Sequence, residues 1–92
     1  MMIDLRTRIG DPRVREEVIE FALEYFGEMA RLASRARRVG DVGNEFATLR
    51  TRLGEFRAKG SVEAWSDLSK DELEHAILDT AYLTLYGYQH HA

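Results

Sequence analysis

From Asp11 to Gly40 the chain carries one continuous helical pattern, and the width of that pattern constrains the fold more than any other feature. Asp11-Pro12 supplies the start. Aspartate is a good N-cap acceptor, and proline at the first helical position gives up no hydrogen bond, because its N–H would be unpaired there. Val18, Ala22, Tyr25, Met29, Leu32 and Ala36 then step by four and three residues down one face. Ile19, Leu23, Phe26, Ala30 and Ala33 form a second seam beside it. An ordinary surface helix shows an apolar stripe about 100° wide, whereas two adjacent seams occupy nearly half the cylinder. One neighbour does not cover such a face, so the helix must touch at least two. The opposite strip is Glu17, Glu20, Glu24, Glu28, Arg31, Arg35 and Arg38, acid first and base last, as the helix macrodipole favours.

Gly40-Asp41-Val42-Gly43 interrupts the pattern, with Gly40 placed as a C-terminal cap. Asn44 is placed to cap a second helix that runs to about Lys59. Its stripe, Phe46, Leu49, Leu53 and Phe56, is narrow, and the stems of Arg50 and Arg57 can widen it while their heads stay wet. After Gly60-Ser61, Val62 to Trp65 reads as a short helical turn that sets Trp65 into the core. The third helix has the clearest start. Ser69-Lys70-Asp71-Glu72 is a capping box, and Leu68 with Leu73 is spaced as its hydrophobic staple. This helix is expected to reach about Tyr86, where Gly87 stops it, with Leu73, Ile77, Ala81 and Leu85 on its core face. Past Ala81 the run Tyr82 to Tyr88 is apolar or aromatic all round.

The expected fold is therefore all-α: a three-helix bundle with a short connecting helical turn, residues 1–92 forming one domain, and helices at about 12–39, 44–59 and 70–86. The first helix would be about 40 Å long and its partners about 25 Å each, at about 1.5 Å per residue. It must overhang, bend at Gly27, or be covered by another copy of the chain, so a homo-oligomer is expected. A 45% hydrophobic share with one proline fits a folded helical chain. The absence of cysteine excludes disulfides, thiolate zinc sites and cysteine nucleophiles. With no apolar run near the roughly 18 residues of a membrane span, and no secretory pattern in Met1 to Arg6, a cytoplasmic protein with no membrane partner is expected.

The net charge of −3 hides a partition. Residues 1–30 hold four Lys/Arg against seven Asp/Glu, residues 31–59 hold eight against three, and residues 60–92 hold one against six. The basic middle, with Arg31, Arg35, Arg38, Arg50, Arg52, Arg57 and Lys59, is the candidate for a nucleic-acid contact. The pI near 5.6 is low for a dedicated binder, and mutual neutralisation on folding is the favoured reading.

On the third helix Glu72, His75, Asp79, Tyr82 and Tyr86 are spaced to share one face. Glu72-x-x-His75 is also the spacing by which a helix offers a carboxylate and an imidazole to one metal, which makes Glu72, His75 and Asp79 the candidate metal set. The competing and favoured reading is a solvated face with His75 between Asp71 and Asp79, so no cofactor is expected. Glu16-Glu17-Val18-Ile19-Glu20 resembles the Glu-Glu-x-x-Glu signature of the all-α nucleotide pyrophosphohydrolases. That resemblance implies magnesium and a triphosphate held between helices, with a later Glu-x-x-Asp helix. The matching place, Ala76-Ile77-Leu78-Asp79, keeps the aspartate and lacks the glutamate. No Gly-rich phosphate loop or nucleophile triad is apparent. The expected function is accordingly a non-enzymatic interaction protein: an adaptor, regulator or inhibitor with an unidentified protein partner. Tyr82, Tyr86 and Tyr88 are the expected contacts, and Arg35 and Arg38 a rim suited to an acidic partner.

Overall fold

The computed structural model describes residues 2–36, 42–59 and 67–90, the last three by backbone alone. The chain is an all-helical bundle of three long helices and one short helical segment: α1 (Leu5–Arg8), α2 (Pro12–Arg35), α3 (Gly43–Arg57) and α4 (Lys70–His90). The turn expected at Val62–Trp65 lies outside the described residues. The molecule measures 39 × 37 × 22 Å. Its thinnest dimension is about two helix diameters, so every long helix keeps one face toward solvent.

α2 is the hub, packing against α1, α3 and α4. Its start is as the sequence indicates: the Asp11 carboxylate accepts from Arg13 N–H at 2.9 Å and Pro12 opens the helix. The helix passes through Gly27 without interruption but ends at Arg35, short of the expected residue 39, where Ala36 turns to extended backbone. Leu32 is fully buried, whereas Ala33, Ser34 and Arg35 are exposed, so the burial that carries the helix ends with Leu32.

The first seam is enclosed: Val18, Ala22, Tyr25 and Leu32 are buried and Met29 is half-buried. The second is covered only in part: Ile19, Leu23 and Phe26 are half-buried, and Ala30 and Ala33 are exposed, while the expected contact of this helix with at least two neighbours is met. α3 docks elsewhere, through a ring stack of Phe21 on Phe56 with centroids 4.0 Å apart and planes 6° from parallel. Its buried stripe is Leu49, Leu53 and Phe56, with Phe46 half-buried, as the sequence indicates. Its start differs. α3 begins at Gly43 with Val42 as N-cap and no side-chain cap bond, and Asn44 is already inside the first turn. Val42 is 2% exposed, so its burial fixes that boundary in place of a polar cap.

α4 starts on the capping box. The Ser69 N–H donates to Glu72 Oε1 at 3.1 Å and the Glu72 N–H donates to Ser69 Oγ at 3.2 Å, while Leu68 and Leu73 are both buried. Gly87 does not stop it, and the helix continues to His90. A helical glycine costs only about 1 kcal/mol against alanine, too little to end a helix alone. The core face is Leu73, Ala76, Ile77, Thr80 and Ala81; Leu85, expected there, is 45% exposed.

α1 has no counterpart among the expected elements. Asp4 caps it, accepting from Arg6 N–H at 3.0 Å, and the Arg6 guanidinium folds back on the same carboxylate at 2.7 Å. Leu5 is fully buried, a contribution of about 1.5–3 kcal/mol for a side chain of this size. Two backbone donors clasp this segment to α4: Leu5 N–H to Thr80 Oγ1 at 2.9 Å, and Ile3 N–H to Asp79 Oδ2 at 3.0 Å. The Arg15 guanidinium donates back to the Ile9 carbonyl at 3.0–3.1 Å and closes the corner into α2.

Candidate interaction surface

The surface of α4 opposite its core face carries the candidate residues. Tyr82 is 42% exposed and Tyr86 40%, with ring centroids 5.0 Å apart and planes inclined by 48°. Leu85 lies between them in sequence and shares the exposure. Core positions Leu73, Ile77, Thr80 and Ala81 take one side of the helix; Tyr86 lies one turn beyond Tyr82 on the outer side, while Leu78 is half-buried against the core and Leu85 sits at the edge, in phase with Ala81. The side chain of Tyr88 lies outside the described residues. Arg35 is exposed at the end of α2, and Arg38 lies outside the described residues.

The candidate metal set is not brought to one point. Glu72 is engaged in the capping box, Asp79 accepts the Ile3 N–H, and His75 is exposed without joining either. Hydrogen bonds from Ser69 hold the Glu72 carboxyl below the usual carboxylate range. Among the described residues no group of three or more His, Cys, Asp or Glu could hold a metal ion. Glu16, Glu17 and Glu20, the acids of the pyrophosphohydrolase-like pattern, form no such group either among the described residues. Those acids point to solvent, and the aspartate that would complete the set is the clasp for the chain's N-terminal segment.

The basic middle is partly neutralised within the chain. Arg31 pairs with Glu28 at 2.7 Å, the bond holding that carboxyl below its ordinary range, and Arg52 of α3 approaches Glu24 of α2 at 3.7 Å. Lys59 Nζ sits 5.9 Å from the centre of the Phe56 ring. Arg31 and Arg52 thus meet acids of α2, and both line a depression shared with Glu28 and Glu45, so their charge is offset in part where they come together. Depressions along the α2–α3 seam, such as that lined by Glu17, Glu20, Phe21, Glu24, Phe56 and Lys59, have volumes near 230 Å³. That is below the roughly 300–1,000 Å³ of ordinary small-molecule sites, and they are shallow and open.

Sequence reasoning missed three residues that shape this architecture. Phe21 lies one helical turn before Tyr25, and that spacing was its available signal; its ring sits 5.7 Å from that of Tyr25 as well as on Phe56. Thr80 is fully buried, donating to the Ala76 carbonyl at 2.7 Å while accepting from Leu5. The acceptor role of Asp79 had no local signal, because its donor is 76 positions away. Tyr25 is 2% exposed and its hydroxyl has no partner at hydrogen-bond distance, although the Glu74 carboxylate lies near enough to act on it. Burial first, and the Glu74 charge second, push its pKa up to about 12.

No helix among the described residues is long and apolar enough to cross a membrane. No protein-family model, curated protein or solved structure matches the chain. What is in hand is a small all-helical domain that, among its described residues, lacks a metal-binding cluster and carries an exposed aromatic strip on its last helix.

Proposed function

We propose that this chain is a non-enzymatic interaction protein that presents the outer face of α4 to a protein partner. The observation that carries the reading is the exposure of Tyr82, Leu85 and Tyr86 within about one turn of a helix whose core positions Leu73, Ala76, Ile77, Thr80 and Ala81 are fully buried. Tyrosine pairs a rigid apolar body with a polar tip and dominates binding energy at interfaces well beyond its frequency. Apolar strips rimmed by polar residues are where small domains make their contacts. The test is affinity capture from lysate of the source organism, with and without nuclease, using the natural chain and the Tyr82→Ala/Tyr86→Ala double variant. One stoichiometric protein, retained by the first and lost by the second at unchanged helicity, supports the reading. Nucleic acid as the sole captured species, or equal capture by both, contradicts it.

Self-association belongs to the same proposal through a different surface. The second seam of α2 is only half covered within the chain, and a sister copy laid along Leu23, Phe26 and Ala30 would complete it. A dimer mass by light scattering at micromolar concentration is the expected result, and a sharp monomer mass removes this part.

A further inference from the structure

Resting on that reading of the α4 face, we propose that its occupant is a basic amphipathic segment of the partner, not an acidic or uncharged one and not a second copy of this chain. Asp71, His75, Leu78, Tyr82 and Leu85 step by four, three, four and three residues, so they form one line along α4. Acid lies at one end of the line and exposed aromatic and aliphatic surface at the other. Asp71 is exposed, and its position lies about 16 Å along the helix axis from that of Tyr82, eleven residues at about 1.5 Å each. Asp79, at the edge of the line, accepts the Ile3 N–H at 3.0 Å.

No position on this line is lysine or arginine. Lys70, near the start of α4, extends toward α3, where its Nζ lies 3.9 Å from the position a Cβ would take at Gly54. Residues 67–90 hold five carboxylates and one lysine; Asp67 pairs with Arg8 at 3.2 Å and Glu72 is engaged in the capping box, so the acid that the line itself offers is Asp71. A matching segment carries lysine or arginine about three helical turns from its apolar anchors, so that the cations meet Asp71 while the anchors seat on Tyr82, Leu85 and Tyr86.

Area separates a single segment from a second globular copy. With about 40–45% of three side chains exposed, at roughly 200 Å² for each aromatic, the strip offers on the order of 250 Å². A stable globular interface needs about 800 Å² per partner. A single peptide-like element anchored by two tyrosines suits the smaller figure.

The experiment uses the full chain and two labelled synthetic helical peptides of about five turns, one with a leucine face and lysine flanks, the other with the same leucines and glutamate flanks. Fluorescence anisotropy is read at low and raised salt. The lysine peptide is expected to bind at least tenfold tighter than the glutamate peptide and to weaken with salt. Asp71→Asn should loosen it severalfold, and Tyr82→Ala/Tyr86→Ala should abolish it. Equal binding of the two peptides, or lysine-peptide binding indifferent to the tyrosine substitutions, overturns the inference. So does a native partner that is captured through Tyr82 and Tyr86 but whose bound segment is acidic or uncharged, a result that leaves the proposed function standing. Loss of tyrosine-dependent capture altogether removes the proposed function instead.

Discussion

Thr80 sits at the junction of α4 and the N-terminal segment with both hydrogen-bonding roles of its hydroxyl filled, one toward Ala76 and one from Leu5. Thr80→Val keeps the shape and leaves the buried Leu5 N–H without an acceptor. Such a loss costs about 1–3 kcal/mol, to be read as a lower denaturation midpoint by circular dichroism; Thr80→Ser should recover most of it. Tyr25 is the opposite case. Its buried hydroxyl has no partner at full hydrogen-bond distance and only a looser interaction with the Glu74 carboxylate, so Tyr25→Phe should change stability by no more than about 1 kcal/mol. The same hydroxyl predicts an alkaline limit. Below pH 10 the phenol is protonated both in the unfolded chain, with its ordinary value of 10.0, and in the folded one, where it is raised to about 12. Between those values the unfolded chain releases a proton that the folded chain keeps, so stability falls as pH rises through that window. Tyr25→Phe should flatten the decline, and an unaltered decline contradicts the assignment.

At the scale of elements, the boundaries legible in the sequence are those fixed by neighbouring residues. Asp11-Pro12 and Ser69 to Glu72 each hold cap donor and acceptor within four positions, and both helices start there. The boundaries that went unread depend on distant groups. α1 is four residues long, too short for any periodicity; Thr80 holds its Leu5 N–H, and Asp79 holds the N–H of Ile3 just before it. Asn44 looked like a cap, but burial of Val42 moved the start of α3 upstream. Leu85 fell in phase with the core stripe, one turn past the fully buried Ala81, yet it is 45% exposed, so the covered length of α4 ends before it. Ser69→Ala should cost about 0.5–2 kcal/mol, a typical N-cap loss, measured as a lower melting temperature. Acid should act at the same kind of site. Hydrogen bonds from Arg6 hold Asp4, and those from Ser69 hold Glu72, below the ordinary carboxylate range in the folded chain. Their contribution is complete at neutral pH, begins to fade as pH drops through the unfolded carboxylate values, and is gone below the folded ones. Melting temperature should therefore decline between pH 5 and 3, less steeply in an Asp4→Asn/Glu72→Gln variant.

Considered whole, the molecule is two helices thick, with α2 gripped on one side by α3 and α4 and half open on the other. The breadth of the α2 apolar face was readable as a demand for several neighbours, and α2 does touch the other three helices. Which seam would stay open was not readable, because it depends on the Phe21–Phe56 stack that draws α3 to the far side. The candidate surface was legible in part. Tyr82 and Tyr86 could be placed on one face by spacing alone, whereas the engagement of Glu72 and Asp79 in structural hydrogen bonds could be seen only once the chain was folded.

Tyrosine nitration, mapped by mass spectrometry in the free chain and in the captured complex, tests the exposed α4 face most directly. Tyr82 and Tyr86 should react readily in the free chain while Tyr25, buried and with its ionisation suppressed, does not; partner binding should then protect the α4 pair. Protection of Tyr82 and Tyr86 in the free monomer, or equal reactivity with the partner bound, would contradict the assignment of this face as the contact surface.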